Sequence, residues 1–208
     1  PILIVGDRVV DTNGTAAAVA AAEAGGMRAY GHGSTNVNFP ASHPLWQGNL
    51  DMRTVEAVAE VRAADVIVAV GCPVFEDFFY QPGQFVSAAS TLVHIDINSG
   101  AIGRSEPTDI GILASPGKAL GLLAEALKDG LTGSQVEAAA GRKREAAAES
   151  SARAKAFRLL AGKSARGRPM SPAMMVDHLA QALPSNSAVF NDSVSTGGLL
   201  FDALAPST

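Results

Sequence analysis

Short apolar runs rich in β-branched residues alternate with alanine-rich stretches from the start of the chain to Lys128, and this alternation limits the possible folds more than any other feature. Ile2–Val5, Met27–Tyr30, Asp65–Val70, Thr91–Ile97 and Asp109–Leu113 read as strands, the last of them a short edge strand. Between and after them, about Thr15 to Ala24, Leu50–Arg62 and Pro116–Lys128 read as helices, the first ending on Gly25-Gly26, a good C-cap signal. Strands separated by helical stretches form βαβ units. The predicted class is therefore α/β, a Rossmann-like doubly wound parallel sheet with right-handed crossovers.

Composition agrees and removes several function classes. Hydrophobic residues are 47% and charged residues 17% of the 208, with a mean hydropathy of +0.17, far from the disordered class. Aromatic residues are only 5% and the net charge is −4, so the chain offers neither the stacking platforms nor the positive field that nucleic acid requires. No apolar run approaches the roughly 20 residues that span a bilayer, so no membrane partner is expected. Cys72 is the single cysteine; a disulfide framework is impossible, and a reducing cytoplasm is the simplest compartment.

After the α/β stretch the composition shifts. From about Ser134 to Ala161 the chain is an Ala/Arg/Lys/Glu helix, followed by a basic, Gly-containing connector over Gly162–Pro169. Nine of the sixteen Lys and Arg fall between Arg142 and Arg168, with only Phe157 interleaved, which reads as a solvated helix crossing between domains. Ser171 offers an N-cap with Pro172 at the first helical position, for a helix through about Leu183. Ala188–Phe190 reads as a strand, and a polar turn then leads into a helix over Leu199–Leu204. The organisation expected is a Rossmann-like domain over 1–133, an interdomain linker over 134–169 and the truncated start of a second α/β domain over 170–208. The abrupt opening at Pro1 and the close at Thr208 read as the ends of a piece.

Few residues announce chemistry. Val5-Gly6-Asp7-Arg8 occupies the place of a phosphate loop but lacks G-x-G-x-x-G, and its Asp opposes a pyrophosphate. Asp96, ending a strand, is either a ribose acceptor or a turn former. His32, His43, His94 and His178 form no metal-ligand pattern; His43, in a loop with two prolines, reads as a residue that fixes that loop. Cys72 reads as a small packed hydrophobe. The stretch from Gly71 to Phe85 is a Pro-bounded aromatic loop at the carboxyl end of a strand, where open α/β sheets place functional loops. Taken alone it equally reads as a packing surface.

In combination, Val70-Gly71-Cys72-Pro73-Val74-Phe75, Tyr80-Gln81-Pro82-Gly83-Gln84, Val5-Gly6-Asp7-Arg8, Asn38-Phe39-Pro40, His43-Pro44-Leu45 and Gly103-Arg104 closely resemble the central domain of thiamine-diphosphate-dependent enzymes, most nearly the benzoylformate decarboxylase branch. The resemblance covers roughly Pro1 to Lys128. Beyond the linker, Asn191-Asp192-Ser193-Val194-Ser195-Thr196 resembles the first loop of the family's diphosphate-binding domain. It implies a three-domain enzyme using thiamine diphosphate and Mg2+ on a 2-oxo acid, as decarboxylase or carboligase, and a homotetramer. The activating glutamate and the Gly-Asp-Gly metal motif belong to the other domains and are missing from these residues. The stretch alone is therefore expected to bind no cofactor and to be inactive. The resemblance places Asp192, Ser193, Val194 and Ser195 at the diphosphate. It also places Phe78 where the benzoylformate decarboxylase branch carries an active-site histidine, and Phe cannot transfer a proton. Two other readings stay open: a nucleotide-binding module for FAD or ADP on the same fold, and a non-catalytic scaffold domain.

Overall fold

The computed structural model describes residues 1–32, 36–75, 83–163, 169–184, 186–193 and 196–205. Six strands form one all-parallel sheet in the order β3-β2-β1-β4-β5-β6. They are β1 (Ile2–Val5), β2 (Arg28–Gly31), β3 (Trp46–Asn49), β4 (Val66–Val70), β5 (Thr91–Asp96) and β6 (Ile110–Leu113). The helices are α1 (Arg8–Asp11), α2 (Thr15–Gly25), α3 (Val55–Ala63), α4 (Pro116–Gly130), α5 (Gly133–Lys163), α6 (Pro172–Ala182) and α7 (Gly197–Leu204).

Successive strand residues point to opposite faces, and the two cores divide accordingly. Leu3, Val5, Ala29, Val68, Val70 and Ile95 pack on one face under α2 and α4. Ile2, Ile4, Tyr30, Ile67, Ala69 and Leu92 pack on the other, with Val61 of α3 and with Val74, Phe75 and Phe85 of the β4–β5 crossover. Apolar layers on both faces explain why the central strands read as continuous Val/Ile/Leu runs.

The helix boundaries follow local signals. Gly26 is left-handed at φ 58°, and a side chain there would strike the Ala139 backbone, with the Cα at 2.7 Å. Only glycine satisfies both demands. The Thr54 hydroxyl accepts from the Ala57 N–H at 3.2 Å and starts α3. The Ser171 hydroxyl does the same for Met174 N–H in α6, with Pro172 at the first helical position.

Three sequence expectations need correction. The helix expected from Leu50 starts at Val55, because Leu50 N–H instead donates to Gly31 O (2.8 Å) and prolongs the sheet. β3 was not predicted: Trp46-Gln47-Gly48-Asn49 lacks the β-branched residues that mark a strand, and its pairing with β2 is irregular between Ala29 and Gly31. Ala188–Phe190 is not a strand. Val189 and Phe190 are 41% and 96% exposed, and among the described residues no neighbouring strand receives their backbone.

The long helix is solvated over most of its surface, as expected, but carries a narrow buried stripe, Ala139, Ala146, Phe157 and Ala161. Along that stripe Arg142 donates to the carbonyls of Gly25 (2.8 Å) and Gly26 (3.1 Å), the loose end of α2. Glu149 takes Arg28 in a two-pronged pair. Arg153 donates to Trp46 O (2.7 Å) and Gln47 Oε1 (3.2 Å), and Gln47 donates back to Ala146 O (3.0 Å). α5 thus covers the β3 margin of the sheet. Its last turns join α6 and α7 in a small cluster of Phe157, Ala173, Val176, Leu199, Leu200 and Ala203.

Candidate functional site

Where the strand order reverses, between β1 and β4, a doubly wound sheet opens a crevice at the carboxyl ends of its strands, and nucleotides bind there in folds of this type. In this chain the turns that leave β1 and β4 there are joined backbone to backbone. Gly6 N–H donates to Val70 O (3.0 Å), Arg8 N–H to Gly71 O (3.2 Å) and Gly71 N–H to Ile95 O (2.9 Å). A Cβ on Gly6 would overlap the Cys72 side chain and lie 2.8 Å from Cys72 Cα. Gly71, left-handed at φ 66°, would place a Cβ 2.9 Å from Val9 N. Both glycines are there because the β1 and β4 turns lie against each other.

Charge is internally consumed as well. Arg8 Nε and Nη2 each donate to a carboxylate oxygen of Asp96 at 2.7 Å, and the Asp96 side chain is fully buried. The pair ties the turn after β1 to the end of β5, across β4. Its hydrogen bonds to the carboxylate raise the Arg8 pKa above the ordinary range. Asp96 also accepts from Asn98 N–H (2.7 Å), so it both forms a turn and holds a cation. Asp7 accepts from Asn36 N–H and Asn38 Nδ2, both at 2.9 Å, and so anchors the segment after β2.

Beneath this lattice lies a buried layer that cannot ionise easily. Cys72 is fully buried in the second apolar cluster, the packed role expected of it, and its thiol is pushed up to about 12, chiefly by burial and then by the Asp96 charge. His94, 1% exposed, meets Cys72 O through Nε2 at 3.0 Å, and its Nδ1 has no partner among the described residues. Burial lowers its pKa, so the neutral ring donates from Nε2. Phe75, left-handed at φ 52°, packs edge-on to His32 (5.4 Å) and Phe85 (5.6 Å). His43 accepts from Leu45 N–H (3.2 Å) and lies edge-on to Phe39, the loop-fixing role expected of it.

Phe78, Val194 and Ser195 lie outside the described residues. Asp192 and Ser193 are on an exposed turn ahead of α7, where Ser193 donates through both N–H (3.1 Å) and Oγ (2.7 Å) to Asn191 Oδ1. Among the described residues no three His, Cys, Asp or Glu side chains converge as a metal site. A groove of about 270 Å³ between α2, α4 and α5, lined by Glu23, Lys128 and Lys143 over an apolar floor, lies at the opposite end of the sheet from the crevice. The Arg8–Asp96 pair was not read from the sequence. Its one signal is two opposite charges, each just past the end of a parallel strand.

Fold and crevice together define a doubly wound α/β domain in which the charged turn residues at the switch point, Arg8 and Asp96, hold one another. Residues 1–123 match the family described as thiamine pyrophosphate enzyme, central domain, and the chain belongs to that family. It is 34% identical over 94 residues to sulfoacetaldehyde acetyltransferase of Rhodobacter capsulatus, covering 43% of this chain and 16% of that one. It is 28% identical over 110 residues to benzoylformate decarboxylase of Pseudomonas aeruginosa, covering 52% and 21%. The Rhodococcus jostii RHA1 thiamine diphosphate-dependent 4-hydroxybenzoylformate decarboxylase shares the fold, with a TM-score of 0.74 at 20% identity over all of this chain and 36% of that one. A putative thiamin diphosphate-dependent enzyme from Mycobacterium smegmatis aligns at TM-score 0.55 and 28% identity, over 60% of this chain and 24% of that one. The chain thus spans about a fifth or less of the curated relatives' length.

Proposed function

We propose that this chain is the structural middle of a thiamine-diphosphate-dependent 2-oxo acid decarboxylase or carboligase of the benzoylformate decarboxylase type, inactive without its pyrimidine- and diphosphate-binding domains. The observation that carries this reading is the match of residues 1–123 to the thiamine pyrophosphate enzyme central domain, together with a switch point whose Arg8 and Asp96 are paired with each other. A domain with this fold whose charged turn residues are paired internally serves its enzyme by holding other parts in place. The FAD or ADP module loses support for the same reason, since Arg8 and Asp7 are already engaged.

Thiamine diphosphate would supply the carbanion chemistry that acts on a 2-oxo acid, with Mg2+ as the hard cation that suits its diphosphate. The described part of the Asn191–Thr196 turn fits the margin of such a site. Ser193 would turn its hydroxyl and N–H from Asn191 Oδ1, which holds both here, to the diphosphate. The Asp192 carboxylate tolerates a diphosphate only across a cation. Val194 and Ser195 would complete the backbone contacts. We place the unit divisions at 1–133, 134–169 and 170–208, the assembly as a homotetramer, and the compartment as the cytoplasm, supported by one buried, unpaired cysteine. Phe78 argues for a substrate other than benzoylformate, or for a different acid or base.

The test has two parts. Calorimetric titration of the chain with FAD, ADP and NAD should give no heat of binding, and micromolar binding of any of them would favour the nucleotide module. The complete reading frame should release CO2 from a 2-oxo acid only with thiamine diphosphate and Mg2+. Benzoylformate turnover at the rate typical of the family would reject the role given to Phe78.

A further inference from the structure

One guanidinium joins the sheet to the last helix. On β3, Arg153 Nη2 donates to Trp46 O (2.7 Å) and Nη1 to Gln47 Oε1 (3.2 Å). Its remaining nitrogen, Nε, lies 3.9 Å from Asp202 Oδ1 on α7, a helix that also touches β3 directly. The two side chains are only about a third exposed, 34% and 37%, and while burial raises the Asp202 pKa, the Arg153 charge opposes it. On its other side α7 rests Leu199, Leu200 and Ala203 against Phe157 and Val176. Two different kinds of contact therefore fix its orientation.

The polar turn ahead of α7 is seated on that helix. A Cβ on Gly197, its first residue, would lie 3.1 Å from Asn191 Oδ1 and 3.2 Å from Asn191 Cγ, so the Asn191 amide occupies the space that glycine leaves. Ser193 in turn is presented from Asn191 Oδ1 through its N–H and Oγ. Whatever orients α7 therefore orients Asn191, and with it Ser193. We propose that Arg153 is a positioning residue for cofactor binding: from its seat on β3 it holds Asp202, and so sets where the Asn191–Ser193 turn meets the diphosphate. This rests on the reading that places that turn at the diphosphate of thiamine diphosphate. Arg153 acts through α7, and its rigid fork can hold β3 and Asp202 in fixed directions at once, which the point charge of a lysine cannot.

Calorimetric titration of the complete enzyme with thiamine diphosphate and Mg2+ tests it, alongside kcat at saturating cofactor. Asp202→Asn should raise the Kd roughly threefold, the scale of one partly exposed ion pair, with kcat unchanged. Asp202→Glu, whose extra methylene can span the 3.9 Å gap, should restore the wild-type Kd. A general loss of stability would give neither that split nor that rescue. An unchanged Kd in Asp202→Asn overturns the proposal, and so does an Asp202→Glu enzyme that binds as weakly as Asp202→Asn. Should Asp202→Asn fail to fold, Arg153→Lys, which keeps the charge and loses the fork, takes its place with the same expected rise in Kd. A wild-type enzyme that binds no thiamine diphosphate overturns the functional reading and this proposal with it, whereas normal wild-type binding with indifferent variants overturns the proposal alone.

Discussion

Arg8 and Asp96 show how much a single pair can carry in this crevice. Asp96 is fully buried and relies on one guanidinium for its charge, so Arg8→Ala would leave an uncompensated carboxylate and should cost about 3–5 kcal/mol of stability, read by urea unfolding. Gly6→Ala drives a methyl into Cys72, and overpacking of that kind should cost about 1–3 kcal/mol. His94 gives a pH signature. Burial depresses its folded pKa below the ordinary imidazole value of about 6.5, so above about that pH both states are neutral and the ring is indifferent to pH. As pH falls below it the unfolded chain binds a proton that the folded chain refuses, and stability declines until the folded pKa is passed. His94→Gln should flatten that part of a melting-temperature profile; an unchanged slope would remove His94 as its cause.

At the level of elements, the parts legible in the sequence were those written in local chemistry. β1, β4 and β5 are buried on both faces and therefore spell themselves as apolar runs, and α6 is announced by Ser171 and Pro172. What was not legible depends on partners remote in sequence. β3 is a strand because Ala29 and Gly31 lie beside it and Arg153 seals it, not because of its own residues. The Arg8–Asp96 pair joins positions 88 apart, and Ala188–Phe190 resembles a strand but has no neighbouring strand among the described residues. At this scale we expect Thr54→Ala to destabilise α3 by about 1 kcal/mol through loss of its N-cap. Arg153→Ala should speed amide exchange in β3 while leaving β4 and β5 protected.

Across the whole molecule, the six-stranded unit and the C-terminal helices have separate apolar centres, joined by α5. Phe157→Ala should therefore speed exchange in α6 and α7 with little change in the sheet core; a uniform loss of protection would show a single cooperative unit. The helix that joins them is 31 residues long, about 46 Å at 1.5 Å per residue. Ala139, against the Gly26 cap of α2, and Ala146 and Arg153, both against β3, recur at intervals of seven. The angular position of everything beyond Arg153 is thus a matter of phase. One residue inserted before Phe157 turns the downstream helices by about 100°, whereas seven lengthen the rod yet leave its facing within about 20°. Chains of this kind should tolerate insertions in α5 by sevens and reject them singly, a reading frame for shape laid over the one for codons.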